Sequence, residues 1–272
     1  MTVSLSSRTF AIIGAGNMGT ALMKGLISGG ARPDRIRITN KRATRSRALA
    51  RQHAVVAAER LDEAVDGADI VILAVKPQVM PEVLTELSTM NAEALYISIA
   101  AGITCASLQE SLPDCARVIR AMPNTPALIG EGATAIAAGD LATPDDLELC
   151  RSIFSRVGIT VTVPENLIDA VTGLSGSGPA YVMVFIEALS DAGVRVGLPR
   201  DVSMQLALQT VRGSAQLLHE TEEHPARLKD QVTSPGGTTI AGLHALEAGG
   251  MRGTIIDAVR AACERAHELG KQ

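Results

Sequence analysis

Phe10-Ala11-Ile12-Ile13-Gly14-Ala15-Gly16-Asn17-Met18-Gly19-Thr20-Ala21-Leu22-Met23 runs from an apolar strand pattern through three glycines into a helical pattern, and its reading decides the fold. GxGxxG alone is a weak signal, but between a strand and a helix it marks a dinucleotide-binding loop. Each glycine has its own task. Gly14 permits the tight turn, Gly16 has no Cβ to obstruct a pyrophosphate, and Gly19 lets the helix lie close on the strand. The amides at the helix start, those of Asn17 and Met18 among them, then face the anion.

About 20 residues beyond the loop, NAD-selective sites carry an acidic residue for the ribose hydroxyls. Here that place reads Asn40-Lys41-Arg42-Ala43-Thr44-Arg45. A carboxylate is missing, and cations stand where a 2′-phosphate would lie, so NADPH is the expected cofactor, with NADH possible. Ala74, Val75, Lys76 and Pro77 end a wholly apolar run and should line the adenosine side at the carboxyl edge of the sheet. Met122, Pro123 and Asn124 end another run at the same edge, where they should border the nicotinamide ribose.

Working outward, strand patterns at 10–14, 36–40, 70–75, 95–99, 118–122, 134–138 and 159–163 alternate with helical ones, the rhythm of parallel strands and helical crossovers. The 70–75 run has no polar residue and belongs at the centre of the sheet. After Pro164 helical periodicity takes over, at 179–192, 201–219, 238–247 and 253–269. The expected fold is α/β, a Rossmann-type doubly wound sheet (1–163) followed by an all-helical domain (164–272). Met204, Leu206, Ala207, Leu208, Val211, Ala215, Leu217 and Leu218 are apolar around more than one helix face, which predicts an obligate homodimer.

The composition narrows the function. With no Trp, two Tyr, three Phe and a net charge of −4, the chain offers almost no rings on which bases could stack and no basic field for phosphate backbones or anionic membranes. Nucleic acid and membranes are not expected partners. Cys105, Cys115, Cys150 and Cys263 form no CxxC pair, and His53, His219, His224, His244 and His267 no HxxxH spacing, so no metal is expected. No export signal or apolar stretch of about 18 residues is present, and a cytoplasmic protein with reduced thiols is predicted.

Late in the chain stands Asp230-Gln231-Val232-Thr233-Ser234-Pro235-Gly236-Gly237-Thr238-Thr239. Ser234, Thr238 and Thr239 bring hydroxyls into one small volume beside Gly236 and Gly237, at the start of a helix. Such a loop is a carboxylate cradle. With this loop, Gly176-Ser177-Gly178-Pro179-Ala180-Tyr181, Ala74-Val75-Lys76-Pro77 and Arg120-Ala121-Met122-Pro123-Asn124-Thr125-Pro126, the chain resembles the pyrroline-5-carboxylate reductases from Phe10 to about Leu269.

The resemblance implies hydride transfer to the imine carbon of L-Δ1-pyrroline-5-carboxylate, giving L-proline. It implies that the Thr239 hydroxyl bonds the ring nitrogen, and that Ser234 with the amides of Gly237 and Thr238 binds the carboxylate. It also implies a helical dimerisation domain, an active site shared between subunits, and assembly of dimers up to decamers. A β-hydroxyacid dehydrogenase would need a lysine on the long helices of the second domain, and 179–192 and 201–219 contain none. A non-catalytic NADP sensor would have no use for a second, carboxylate-binding loop.

Overall fold

The computed structural model describes Ser4–Gly270. Its sheet has the order β3-β2-β1-β4-β5-β6-β7-β8 among the described residues. The strands are β1 (Phe10–Ile13), β2 (Ile36–Thr39), β3 (Val56–Ala57), β4 (Ile70–Leu73), β5 (Leu95–Ser98), β6 (Arg117–Met122), β7 (Gly132–Ala138) and β8 (Gly158–Thr162). Side chains alternate between two cores, as the strand period demands. Phe10, Ile12, Ile36, Ile38, Ile70 and Ile72 pack with Leu22, Met23 and Leu26 of α1 (Asn17–Ser28) and Phe154 of α6 (Pro144–Phe154). Ala11, Ile13, Val71, Leu73 and Tyr96 face the opposite way, towards α3 (Leu61–Val65), α4 (Met80–Leu87) and α5 (Cys105–Ser111). All four residues of β4 are buried at the centre of the sheet, as their apolar run predicts.

One strand departs from the expected parallel pattern. β7 runs antiparallel to β6, pairing Ile119 with Ala138 and Met122 with Ala135. The connection holds only Pro123 to Glu131, and part of it is a tight 3-10 turn, Thr125–Ile129. A parallel crossover needs a dozen or more residues. The chain therefore reverses, and α6 then carries it to β8, which is parallel to β7. The two-residue β3 is too short to announce itself in the sequence.

The described residues form two compact units. One unit extends through Ser177 and regains the chain from Ala261 onward, and the other is Gly178–Arg260. Residue 164 marks the end of β-rich sequence, not the end of packing. Ile168, in α7 (Ile168–Val171), is buried against Ala135 and Ala137. Arg120, only 3% exposed, holds Asp169 Oδ1 at 2.9 Å and Glu165 Oε1 at 3.7 Å, while Glu165 accepts the Cys105 amide at 2.6 Å. The last turns of α12 (Met251–Leu269) return to this network, with His267 Nδ1 3.5 Å from Asp169 Oδ2.

In the second unit α8 (Gly178–Arg195) and α9 (Arg200–Thr221) form a close hairpin. Ser203 donates to the Ser190 carbonyl at 2.6 Å, and a Cβ on Gly193 would lie 2.0 Å from the Ser203 hydroxyl. Two shorter helices follow, α10 (Pro225–Gln231) and α11 (Thr238–Ala248). Within one chain Met183, Val184, Leu206 and Ile256 stay 54–67% exposed, and α11 contains no buried residue although most of it is apolar. Such a surface is characteristic of a subunit interface. No helix among the described residues is long and apolar enough to cross a membrane.

Candidate active site

Gly14 takes φ +100°, and a Cβ there would lie 2.6 Å from the Ala74 carbonyl oxygen. A Cβ on Gly19 would lie 2.2 Å from the Gly14 carbonyl and 3.3 Å from Ile12 Cγ2, so α1 lies against β1 and the loop more closely than any side chain at this position would allow. Around Gly16 a Cβ would meet nothing within 4 Å. That space opens before the first turn of α1, whose N-cap has no side-chain hydrogen bond and whose first turn has no acidic residue. Uncapped amides and the positive end of the helix dipole make it an anion site. Asn17 lies exposed at the start of the helix, whereas Met18 is half-buried against the core.

Next to the loop lies a cleft of about 880 Å³ whose walls bring together Gly14, Gly16, Asn40, Lys41, Arg42, Ala74, Val75 and Lys76. Strand register places them at one edge: Ile13 pairs with both Thr39 and Leu73, so the segments leaving β1, β2 and β4 emerge side by side. The Asn40 carboxamide accepts the Arg42 amide at 3.2 Å and shapes the turn into α2 (Ala43–His53). Cations here differ in their commitments. Arg47 and Arg60 pair with Glu59 and Asp62, and Arg45 reaches the Asn17 carboxamide at 3.4 Å. Lys41 and Arg42 are exposed and have no acidic partner among the described residues. An NADP(H) molecule fits this set, with open space at Gly16 for the pyrophosphate and two uncommitted cations for a 2′-phosphate.

Met122, Pro123 and Asn124 stand at the carboxyl end of β6, away from that cleft. The Asn124 side chain is fully engaged with backbone: Oδ1 accepts the Ala133 amide at 2.8 Å and Nδ2 donates to the Ser175 carbonyl at 3.1 Å. The 234–239 loop lies in the second unit. Ser234-Pro235-Gly236-Gly237 is a turn closed by the Gly237 amide on the Ser234 carbonyl at 3.1 Å, with Gly236 at φ +67°. Pro then Gly at the two central positions is what such a turn requires. The Gly237 amide is thus committed within the turn, contrary to its expected part in holding a carboxylate. The amides of Thr238 and Thr239, in the uncapped first turn of α11, are the donors that remain for an anion. Thr239 is half-buried.

Neither loop contains a His, Asp, Glu, Lys or Cys. Burial, reinforced by Glu165, pushes the Cys105 thiol up to about 12, and burial raises Cys150 as well, so both stay protonated. Tyr181 packs within its own unit, its hydroxyl 3.4 Å from the Ala258 carbonyl.

A model of pyrroline-5-carboxylate reductase dimerisation matches residues 165–269, and one of NADP oxidoreductase, coenzyme F420-dependent, matches 9–102. A pyrroline-5-carboxylate reductase of Synechocystis sp. is 51% identical, over 96% of this chain and 98% of its own. The chain belongs to the pyrroline-5-carboxylate reductase family. Among solved structures, the reductase of Coxiella burnetii superposes with a TM-score of 0.91 at 37% identity, covering 98% of this chain and all of its own. The Plasmodium falciparum enzyme, solved with NADP bound, gives 0.88 at 32% identity with the same coverage. This reductase is an NAD(P)H-dependent oxidoreductase with a homo-oligomerisation domain in its helical part.

The cleft wall also holds Glu59, Arg60, Glu82 and Glu86, which sequence reasoning missed. Charged residues on exposed helix starts are common, and only the fold of α3 and α4 beside β1 and β4 brings these to the site. Arg60 lines the same cleft as Lys41 and Arg42 and is tied to Asp62 through Nε at 3.0 Å.

Proposed function

We propose that this chain reduces L-Δ1-pyrroline-5-carboxylate to L-proline, the last step of proline biosynthesis, with NADPH as the preferred donor. The observation that carries the reading is the pair of uncapped helix starts, one after Gly16 and one after Gly237, in a chain of this family. When bound, the dinucleotide supplies a hydride to the imine carbon. Gly14, Gly16 and Gly19 shape the space for its pyrophosphate, which the amides of Asn17 and Met18 face. Asn40, Lys41 and Arg42 hold the 2′-phosphate end, Ala74, Val75, Lys76 and Pro77 the adenosine side, and Met122 and Pro123 the nicotinamide end, with the Asn124 side chain turned to backbone behind them.

Ser234 and the amides of Thr238 and Thr239 bind the substrate carboxylate on the turn formed by Gly236 and Gly237. The Thr239 hydroxyl bonds the ring nitrogen. A protonated imine is already electrophilic, so positioning does most of the work, and orientation of two reactants contributes up to about 7–11 kcal/mol of a barrier. The exposed apolar faces of α8, α9, α11 and α12 meet in a homodimer, with decamers as its further assembly. Four cysteines without a disulfide suit a reducing cytosol.

NADPH oxidation with pyrroline-5-carboxylate, set against NADP⁺ reduction with 3-hydroxy acids, tests the reading. Turnover of the imine alone is expected, and no turnover of the imine overturns it. Removing both free cations (Lys41→Ala with Arg42→Ala) should raise KM for NADPH about 10- to 100-fold, the worth of charged hydrogen bonds of about 1.5–3 kcal/mol, and leave KM for NADH unchanged. Equal changes for both cofactors would contradict the 2′-phosphate assignment.

A further inference from the structure

Arg120, Met122 and Asn124 alternate along and beyond β6, and all three grip one segment, residues 165–176. Arg120 holds Glu165 and Asp169. Met122 Cε lies 2.8 Å from where a Cβ on Gly176 would be, and Asn124 takes the Ser175 carbonyl. The end of this segment, Thr172–Gly176, is wound as a π-turn, closed by the Ser177 amide on the Thr172 carbonyl at 2.9 Å. A π-turn is a costly, infrequent conformation that survives where its surroundings enforce it, often at functional sites.

Where this turn sits gives it a role. The strand order reverses between β1 and β4, and a dinucleotide bound at such a switch point spans the reversal. Lys41 and Arg42 put the adenosine half on the β2 side. The nicotinamide half would therefore extend the other way, over β5 and β6. The register Leu73 to Ser98 to Arg120 brings the end of β6 level with the glycine loop, three strand spacings or about 14 Å away.

We propose that Asn124 is a positioning residue: by bridging the Ala133 amide and the Ser175 carbonyl it fixes the Thr172–Gly176 π-turn as the wall against which the nicotinamide end is oriented. Its contact is with the turn, not with the cofactor. This proposal rests on the reductase reading above, and its test separates the two.

In Asn124→Ala, amide hydrogen exchange in a peptide spanning 172–177 should rise with no cofactor present. kcat should fall by about 10²-fold, the penalty of a misplacement near 1 Å, while the NADPH dissociation constant and a cooperative melt are retained. Gly176→Ala displaces the turn directly, its Cβ meeting the flexible end of Met122, and should show the same split; it carries the test if Asn124→Ala fails to fold. Unchanged exchange and kcat in a folded variant would overturn the proposal. So would a loss of NADPH affinity matching the loss of rate, which would mean direct cofactor contact. Wild-type protein that binds NADPH but leaves pyrroline-5-carboxylate unreduced would instead overturn the functional reading, and the exchange result would still decide whether Asn124 holds the turn.

Discussion

Gly19→Ala should eliminate measurable NADPH binding and lower stability by about 1–3 kcal/mol, the usual cost of overpacking. The added Cβ would stand 2.2 Å from the Gly14 carbonyl oxygen, a backbone atom in the loop that frames the pyrophosphate. Relief requires α1 to lift from β1 or the loop to move, and either displaces the uncapped amides from the anion. Gly16→Ala makes a sharp contrast. Its Cβ meets no protein atom within 4 Å, so stability should hold while NADPH affinity falls, because the cofactor itself needs that space. Fluorescence titration of NADPH and thermal melting of the two variants measure both quantities. A Gly19→Ala protein that binds NADPH normally would show that close helix–strand contact does not place the loop.

Thr239→Ala should reduce kcat/KM by about 10²-fold, the scale of losing one preorganised donor or acceptor in the transition state. Thr239 is the second residue of α11, in a first turn without acidic residues. Its hydroxyl is the side-chain group there assigned to the ring nitrogen. The NADPH dissociation constant should not move, and Thr239→Ser should recover most of the rate. An unchanged kcat/KM in Thr239→Ala would remove this hydroxyl from the mechanism.

How far the sequence could be read depended on whether a residue's role is local. Gly14 and Gly19 were legible because a strand, a turn and a helix in direct succession leave only glycine sterically admissible. The apolar 70–75 run announced the central strand, since burial on both faces forbids polar residues. The direction of β7 was hidden by the composition of 134–138, which is equally that of a parallel strand; only the shortness of the link after Met122 requires the reversal. Residue 164 is a change of composition, whereas Ile168, Asp169 and His267 make their contacts across long sequence distances and leave no local signal.

The candidate site divides along the same line. Lys41 and Arg42 follow β2 directly and could be placed by counting from the loop. The engagement of Asn124 with Ser175 and Ala133 and the presence of Arg60 in the cleft wall are tertiary facts, and the closing of the 234–237 turn by the Gly237 amide is a detail of backbone geometry. Asn in a Pro-Asn-Thr-Pro string reads as a turn residue, and nothing nearby in sequence points to its distant partners.

The most direct test of the account is to reduce pyrroline-5-carboxylate with NADPH carrying deuterium at the nicotinamide C4 position transferred and to locate the label by NMR. The account predicts L-proline with one deuterium on C5, the former imine carbon, and none at the α-carbon. Unlabelled proline, label elsewhere in the ring, or no proline at all would contradict it.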